Sequence, residues 1–345
     1  MSTTSKFPVR AQGLDSIRFI CAFIVFFGHG GAPLIPFPRG SLFELGFRAI
    51  YGNIWVGPAA VIVFFIISGF CIHFPYCDKN KELSIKEFYT KRLLRLLVPV
   101  CIAIPLSSWA GENFKVLELG ILWSLIAELI YYLIYPLLRF ARRILRSWSP
   151  FVALSFGIGL LVAFTNTNAI AYPSFGPGLN WLLGLPCWLL GCWLAEKFCN
   201  NEAPRPLRLS NIWVLRLSVL GAAMACMFLS KHTPVGYPWT LNIFAFFAVF
   251  WLHHEIWYRK EVPIIRMFEW AGGWSYSLYL IHPAMNTLFL AIFTGVDSKY
   301  FGFCWFCRVV FVLCSSYLFY LCIERPSHWL ARKAPDLLRL KSSSE

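Results

Sequence analysis

Residues 14–31 read Leu14-Asp15-Ser16-Ile17-Arg18-Phe19-Ile20-Cys21-Ala22-Phe23-Ile24-Val25-Phe26-Phe27-Gly28-His29-Gly30-Gly31. The run is long and apolar enough for a membrane helix, yet it holds an arginine and a histidine. Arg18 and His29 are eleven residues apart, about three helical turns, which sets them on one stripe roughly 16 Å apart along the axis. Ionisable groups inside a membrane helix are costly and by default mark a substrate or proton path. Each residue alone also fits a plainer role, with Arg18 snorkelling to headgroups and His29 closing a helix near the other interface.

The surrounding chain sets the class. Of 345 residues, 58% are hydrophobic, 18% aromatic and only 14% charged. A soluble domain does not carry so little charge with so much Trp and Phe. Apolar windows long enough for a bilayer fall near 14–32, 54–76, 93–110, 116–138, 150–166, 179–196, 211–229, 239–258, 272–294 and 303–323. The expectation is an all-α, polytopic transmembrane helix bundle of about ten spans without a soluble domain. Its parts are an N-terminal tail at 1–13, a membrane unit at 14–326 and a basic C-terminal tail at 327–345. Pro99 and Pro105 predict a kink in the third window.

Charge gives the orientation. With both ends inside, 24 of the 31 Lys and Arg residues fall on the cytoplasmic side and five outside, with Arg216 and Arg308 in spans. Such a bias favours cytoplasmic termini, and it accounts for the net charge of +14 without nucleic acid. The natural partners are anionic lipid headgroups of the bilayer and an anionic cytoplasmic substrate. The run 21–27 follows a basic start but lacks a clean cleavage site, so it reads as a retained first helix.

Twelve cysteines lie mostly in apolar windows, where a thiol acts as a small apolar side chain. Cys304 and Cys307 form a C-x-x-C, but no second pair completes a zinc site, and no metal is expected. No internal repeat is evident, which weighs modestly against a transporter built from two halves. The Gly-, Pro- and aromatic-rich segment at 33–53 suits the covering of an outward cavity.

Within the spans, polar side chains recur at helical spacing. Ser124, Glu128, Tyr132 and Tyr135 share one face beside Trp123, with Glu128 near mid-bilayer, where a carboxylate needs a partner or a proton. A buried clamp on another helix fits Glu128 equally. Ser275, Tyr276, Tyr279 and His282 form a slanted stripe. His282 precedes Pro283, so a local helix break is also open. Ser68 and Gly69 suit close helix packing, and His73 suits the inner interface. Lys91, Arg92 and Arg95 fit either positive-inside anchoring or a phosphate clamp.

In order, these segments resemble the integral-membrane acyltransferase family 3, the bacterial O-acyltransferases. The family's L-D-x-L-R helix with a histidine eleven residues after the arginine is matched by Leu14-Asp15-Ser16-Ile17-Arg18 and His29. Its F-F-x-x-S-G-F block is residues 64–70, and its basic F-Y-x-R-R-x-x-R block is residues 88–95, with Lys91 at the first arginine. W-S-L-x-x-E is residues 123–128, S-Y-S-L-Y-L-x-H-P is 275–283, and E-[KR]-P is Glu324-Arg325-Pro326. One position departs: where the family often has an acid two residues before the F-F pair, this chain has Ile62.

The resemblance implies transfer of an acyl group, most often acetyl, from cytoplasmic acyl-CoA to a hydroxyl of an extracytoplasmic glycan or other envelope acceptor, at the bacterial inner membrane. No permanently bound cofactor is implied. His29 is then the expected base, since imidazole titrates near neutral pH, with Glu128 orienting or balancing it. Arg18, Arg92 and Arg95 would meet the CoA phosphates. Asp15, Trp123, Ser124, Ser275, Tyr276, Tyr279 and His282 would line the substrate cavity. Direct transfer needs fewer parts than a covalent acyl-enzyme on His29. Two rival classes share these features: a multi-pass transporter or flippase of a glycan or lipid intermediate, and a non-catalytic scaffold.

Overall fold

The computed structural model describes residues 11–31, 42–78, 81–205, 209–293 and 301–342. Among them every regular element is a helix. In chain order they are α1 (Leu14–Phe26), α2 (Leu42–Ile54), α3 (Gly57–His73), α4 (Ile85–Trp109), α5 (Phe114–Leu117), α6 (Trp123–Leu145) and α7 (Ser149–Thr165). There follow α8 (Gly176–Cys199), α9 (Leu209–His232), α10 (Tyr237–Glu261), α11 (Arg266–Gly272), α12 (Ser275–Ile292), α13 (Phe301–Phe319) and α14 (Arg325–Ser342). Among the described residues six stretches are long and apolar enough to cross a membrane: Glu44–Tyr76, Ile85–Trp109, Glu118–Leu145, Tyr172–Cys199, Asn211–His232 and Gly302–Ala334. Large apolar side chains stand exposed on their outer faces, among them Leu137, Leu217 and Phe303. In water such surface would be a liability; against lipid it is the favoured face. The protein is an integral membrane protein built from helices.

The centre of the bundle is made by α1, which lies against α3, α11 and α12, and by α3, which lies against α8. The α3–α8 contact is tight because each helix sets a glycine against the other's backbone. A Cβ on Gly69 would sit 1.9 Å from the Trp188 carbonyl oxygen, and one on Gly191 would sit 2.0 Å from that of Ile66. Backbone cannot yield as a flexible side chain does. Gly191→Val is therefore expected to destabilise the bundle by about 1–3 kcal/mol or more, read as a lower melting temperature in detergent; unchanged melting would show that the helices are not so close.

Several local expectations change in the folded chain. α4 continues through Pro99 and Pro105 as one helix. Near Pro99 the neighbouring α12 is tied to α4, the Tyr276 hydroxyl donating to the Leu96 carbonyl at 3.0 Å. Residues 327–342, expected as a basic tail, continue as α14 and lie along α4. The segment at 33–53 is helix α2 from Leu42 onward, while 33–41 lie outside the described residues. His73, assigned to the interface, is 2% exposed. Its ring nitrogens meet the Tyr135 hydroxyl at 3.0 Å and Glu196 at 3.2 Å, with the Trp148 indole N–H 3.2 Å away. It sits in a polar cluster between α3, α6 and α8, enclosed by protein.

α1 ends where the chemistry is expected. His29 has φ −93° and ψ 34°, and Gly30 has φ 92°. A left-handed residue stops a helix, and only glycine adopts that conformation without a steric penalty. The His29 side chain is thereby delivered at the end of the helix, where it is exposed.

Candidate active site

A cavity of about 790 Å³ opens among α1, α3, α4, α6, α12 and α14. Arg18, on the first turns of α1, donates to Asp15 at 2.8 Å and to the Cys71 sulfur of α3 at 3.1 Å. Arg92 and Arg95 come from α4, and Arg325 and Arg332 from α14. Five arginines therefore face one cavity. The acids that share it, Asp15, Glu128 and Glu324, are fewer and are largely engaged by other groups. Glu324 is buried and accepts from the Ser277 N–H at 3.1 Å and hydroxyl at 2.5 Å. An excess of guanidinium forks in a partly apolar, recessed site is suited to phosphate oxygens.

Moving along α12 and α6, the lining becomes neutral. Ser275, Tyr276 and Tyr279 of α12 face Ser124, Glu128 and Tyr132 of α6. Glu128 accepts from the Ser68 hydroxyl at 2.7 Å and also from Tyr132. Ser124 and Tyr279 share a hydroxyl contact of 2.7 Å, and Phe64 sits edge-on to Tyr279. This group stands between the arginine mouth and a pair of histidines. One turn past Tyr279 on α12 is His282, with ring centroids 6.3 Å apart. The His282 Nε2 and His29 Nδ1 atoms are 2.9 Å apart, with the rings nearly parallel at 6°.

Asp15, Arg18, Arg92, Arg95, Ser124, Glu128, Ser275, Tyr276 and Tyr279 thus converge on one cavity as the sequence suggested. Three of the expected site residues lie elsewhere. Trp123 does not line it; it is 7% exposed, stacks on Tyr172 at 5.5 Å and meets Phe65 edge-on. His282 is off the cavity wall and bonded to His29. His29 lies beyond the cavity, and its ring meets His282 rather than Glu128. The Glu128 carboxylate is held instead by Ser68 and Tyr132. Lys91 pairs with Glu87 and leaves Arg92 and Arg95 to the cavity.

Cavity residues outside the expected site set include Ser68, Arg325, His328 and Arg332. Arg325 lies in the Glu324-Arg325-Pro326 block, a signal that was visible but had no face assigned to it. Ser68 combines close packing with a bond to Glu128. Ile62, at the departing position, is completely buried, and its neighbours Val61 and Phe64 face the cavity in its place. Cys304 and Cys307 are free thiols on α13. Among the described residues no group of histidine, cysteine and acidic side chains is arranged to hold a metal ion.

The family model described as an acyltransferase domain matches residues 12–325. A peptidoglycan O-acetyltransferase of Listeria monocytogenes is 24% identical over 285 residues, covering 67% of this chain. The chain spans 45% of that relative's length. No solved structure matches. Because the family match runs across nearly the whole chain, the protein belongs to acyltransferase family 3 and carries its acyltransferase domain.

Proposed function

We propose that this protein is a multi-pass O-acyltransferase of the bacterial inner membrane. It moves an acyl group, acetyl first of all, from cytoplasmic acyl-CoA to a hydroxyl of an envelope glycan on the opposite side. The observation that carries the proposal is the gradient along α1 and α12: five arginines at one end, a paired histidine past the other. The name of the Listeria relative favours a glycan acceptor. In this reading the six long helices are joined by α1, α7, α10 and α12 to give about ten spans with both termini cytoplasmic. The acyltransferase unit, taken from 14–326, draws on α14 as well.

CoA is recognised through its phosphates by Arg92, Arg95, Arg325 and Arg332, with Arg18 deeper in the cavity. The pantetheine arm runs between α6 and α12, and the acyl end passes the Ser124–Tyr279 contact to approach His29. His29 Nε2 takes the hydroxyl proton as the acceptor oxygen attacks the thioester carbonyl. The carbon–sulfur bond breaks, and the thiolate leaves with the proton returned from the imidazolium. The products are the ester and free CoA.

Purified protein in detergent is expected to melt at a higher temperature with acetyl-CoA than without it. Occupancy at about 100 times Kd adds about 2.7 kcal/mol, and dephospho-CoA, which lacks the 3′-phosphate, is expected to give less than CoA. Absence of any acetyl-CoA effect, together with flux of a glycan intermediate in vesicles, would favour a transporter and overturn the enzyme.

A further inference from the structure

His282 is followed by proline, and that order has a chemical consequence. In a helix the N–H of residue 283 would bond the carbonyl of Tyr279, four residues back; Pro283 has no N–H to give. The orphaned carbonyl is instead reached by the His282 ring. Its Nδ1 lies 2.9 Å from the Tyr279 oxygen and 3.1 Å from the Leu278 oxygen. Two carbonyl oxygens can only accept, so Nδ1 must carry hydrogen. In a neutral ring that leaves Nε2 as an acceptor, aimed at His29 Nδ1 at 2.9 Å. His29 Nδ1 must in turn be the donor, which leaves the lone pair of His29 on Nε2. His282 is 1% exposed and rests edge-on to Phe26 and beside Tyr279, surroundings that keep it fixed and neutral. His29 is the exposed member of the pair.

We infer that the His282-Pro283 pair is a tautomer lock: Pro283 frees the carbonyl that pins His282 Nδ1–H, and His282 Nε2 holds His29 in the form whose Nε2 accepts a proton. His282 is thus a positioning residue that acts through His29, and the inference rests on His29 being the base. A helix dipeptide does here what a carboxylate does for the histidine of other acid–base pairs, without placing a charge in the membrane.

The test uses full-length protein with histidine labelled at the ring nitrogens, in detergent. Nitrogen NMR of the unaltered protein, with the His29 signals assigned by their loss in His29→Ala, is expected to show hydrogen on Nδ1 of His29. In His282→Ala the proton is expected to move largely to Nε2. Turnover is measured with acetyl-CoA and solubilised envelope glycan. His282→Ala is expected to lower kcat by about 10–100-fold, the range seen when a partner that orients a functional histidine is lost, with KM for acetyl-CoA unchanged. His282→Asn keeps a donor near Nδ1 but offers no acceptor at the Nε2 position, and is expected to stay as slow as the alanine variant. His282→Gln places an amide oxygen near that position and is expected to recover most of kcat. A His29 ring protonated at Nε2 in the unaltered protein, or full kcat in His282→Asn, would overturn the lock. The NMR result needs no turnover, so an active His29→Ala would remove the proposed base while leaving the lock to be judged on the tautomer alone.

Discussion

His29→Ala is expected to lower acyl transfer by about 10²- to 10⁴-fold, the usual contribution of a positioned base, while acetyl-CoA still stabilises the purified protein. The two readouts separate because the imidazole and the arginines occupy different ends of the site. His29 lies at the exposed terminus of α1, past Tyr279, whereas the guanidinium groups come from α4, α14 and the opening turns of α1. The substitution also removes little packing, since the side chain is exposed and the turn is made by Gly30. The measurement is base-labile acetate on envelope glycans, by mass spectrometry, in cells carrying the variant in place of the parent. Normal ester content would take His29 out of the chemistry.

The second large effect is expected at the other end. Arg92→Ala and Arg95→Ala together are expected to weaken acetyl-CoA binding by about 10- to 1,000-fold. A charged hydrogen bond is worth about 1.5–3 kcal/mol, and each 1.4 kcal/mol is about tenfold in affinity. Replacing both with lysine is expected to restore only part of the loss, because a point charge does not form the two-pronged contact of a guanidinium. Rising salt is expected to weaken the parent more than the double alanine variant. Arg18 is a less clean probe, since its loss would also remove its bonds to Asp15 and Cys71. Donor affinity unaffected by the Arg92 and Arg95 substitutions would reduce them to membrane anchors.

What could be read from the chain follows from what helical spacing controls. Arg18 and His29, Ser124 and Glu128, and Tyr276 and Tyr279 are each linked by one helix, so their common face is fixed by the 3.6-residue period. Those residues do flank one cavity or its far end. Contacts between helices are another matter. His29 and His282 are 253 residues apart, and nothing in either local pattern states that α1 and α12 are neighbours. The same limit explains Glu128, whose partner at mid-membrane was open until Ser68 of α3 was seen to supply it. It also explains His73, whose bond to Glu196 of α8 no local pattern states.

Two further misreadings have physical causes. Trp123 opens a motif and adjoins Ser124, yet successive helical residues point about 100° apart, so it turns into the contact with Tyr172 and Phe65 while Ser124 faces the cavity. Residues 327–342 carry a tail's composition, with many charges and few long apolar runs. Their amphipathic pattern instead covers α4 and delivers Arg332 and His328 to the mouth. The His-Pro pair was legible only as a possible helix break. Its effect is to leave α12 continuous while moving a hydrogen-bond donor from backbone to ring.

The most direct measurement is a cryo-electron microscopy map of the protein with a non-hydrolysable acetyl-CoA analogue. Phosphate density is expected among Arg92, Arg95 and Arg325, with the acyl carbonyl past Tyr279 and within about 6 Å of His29 Nε2, room for a single hydroxyl between them. Density for the analogue outside this cavity, or an acyl end halted on the arginine side of Tyr279 with no path onward, would contradict transfer at His29.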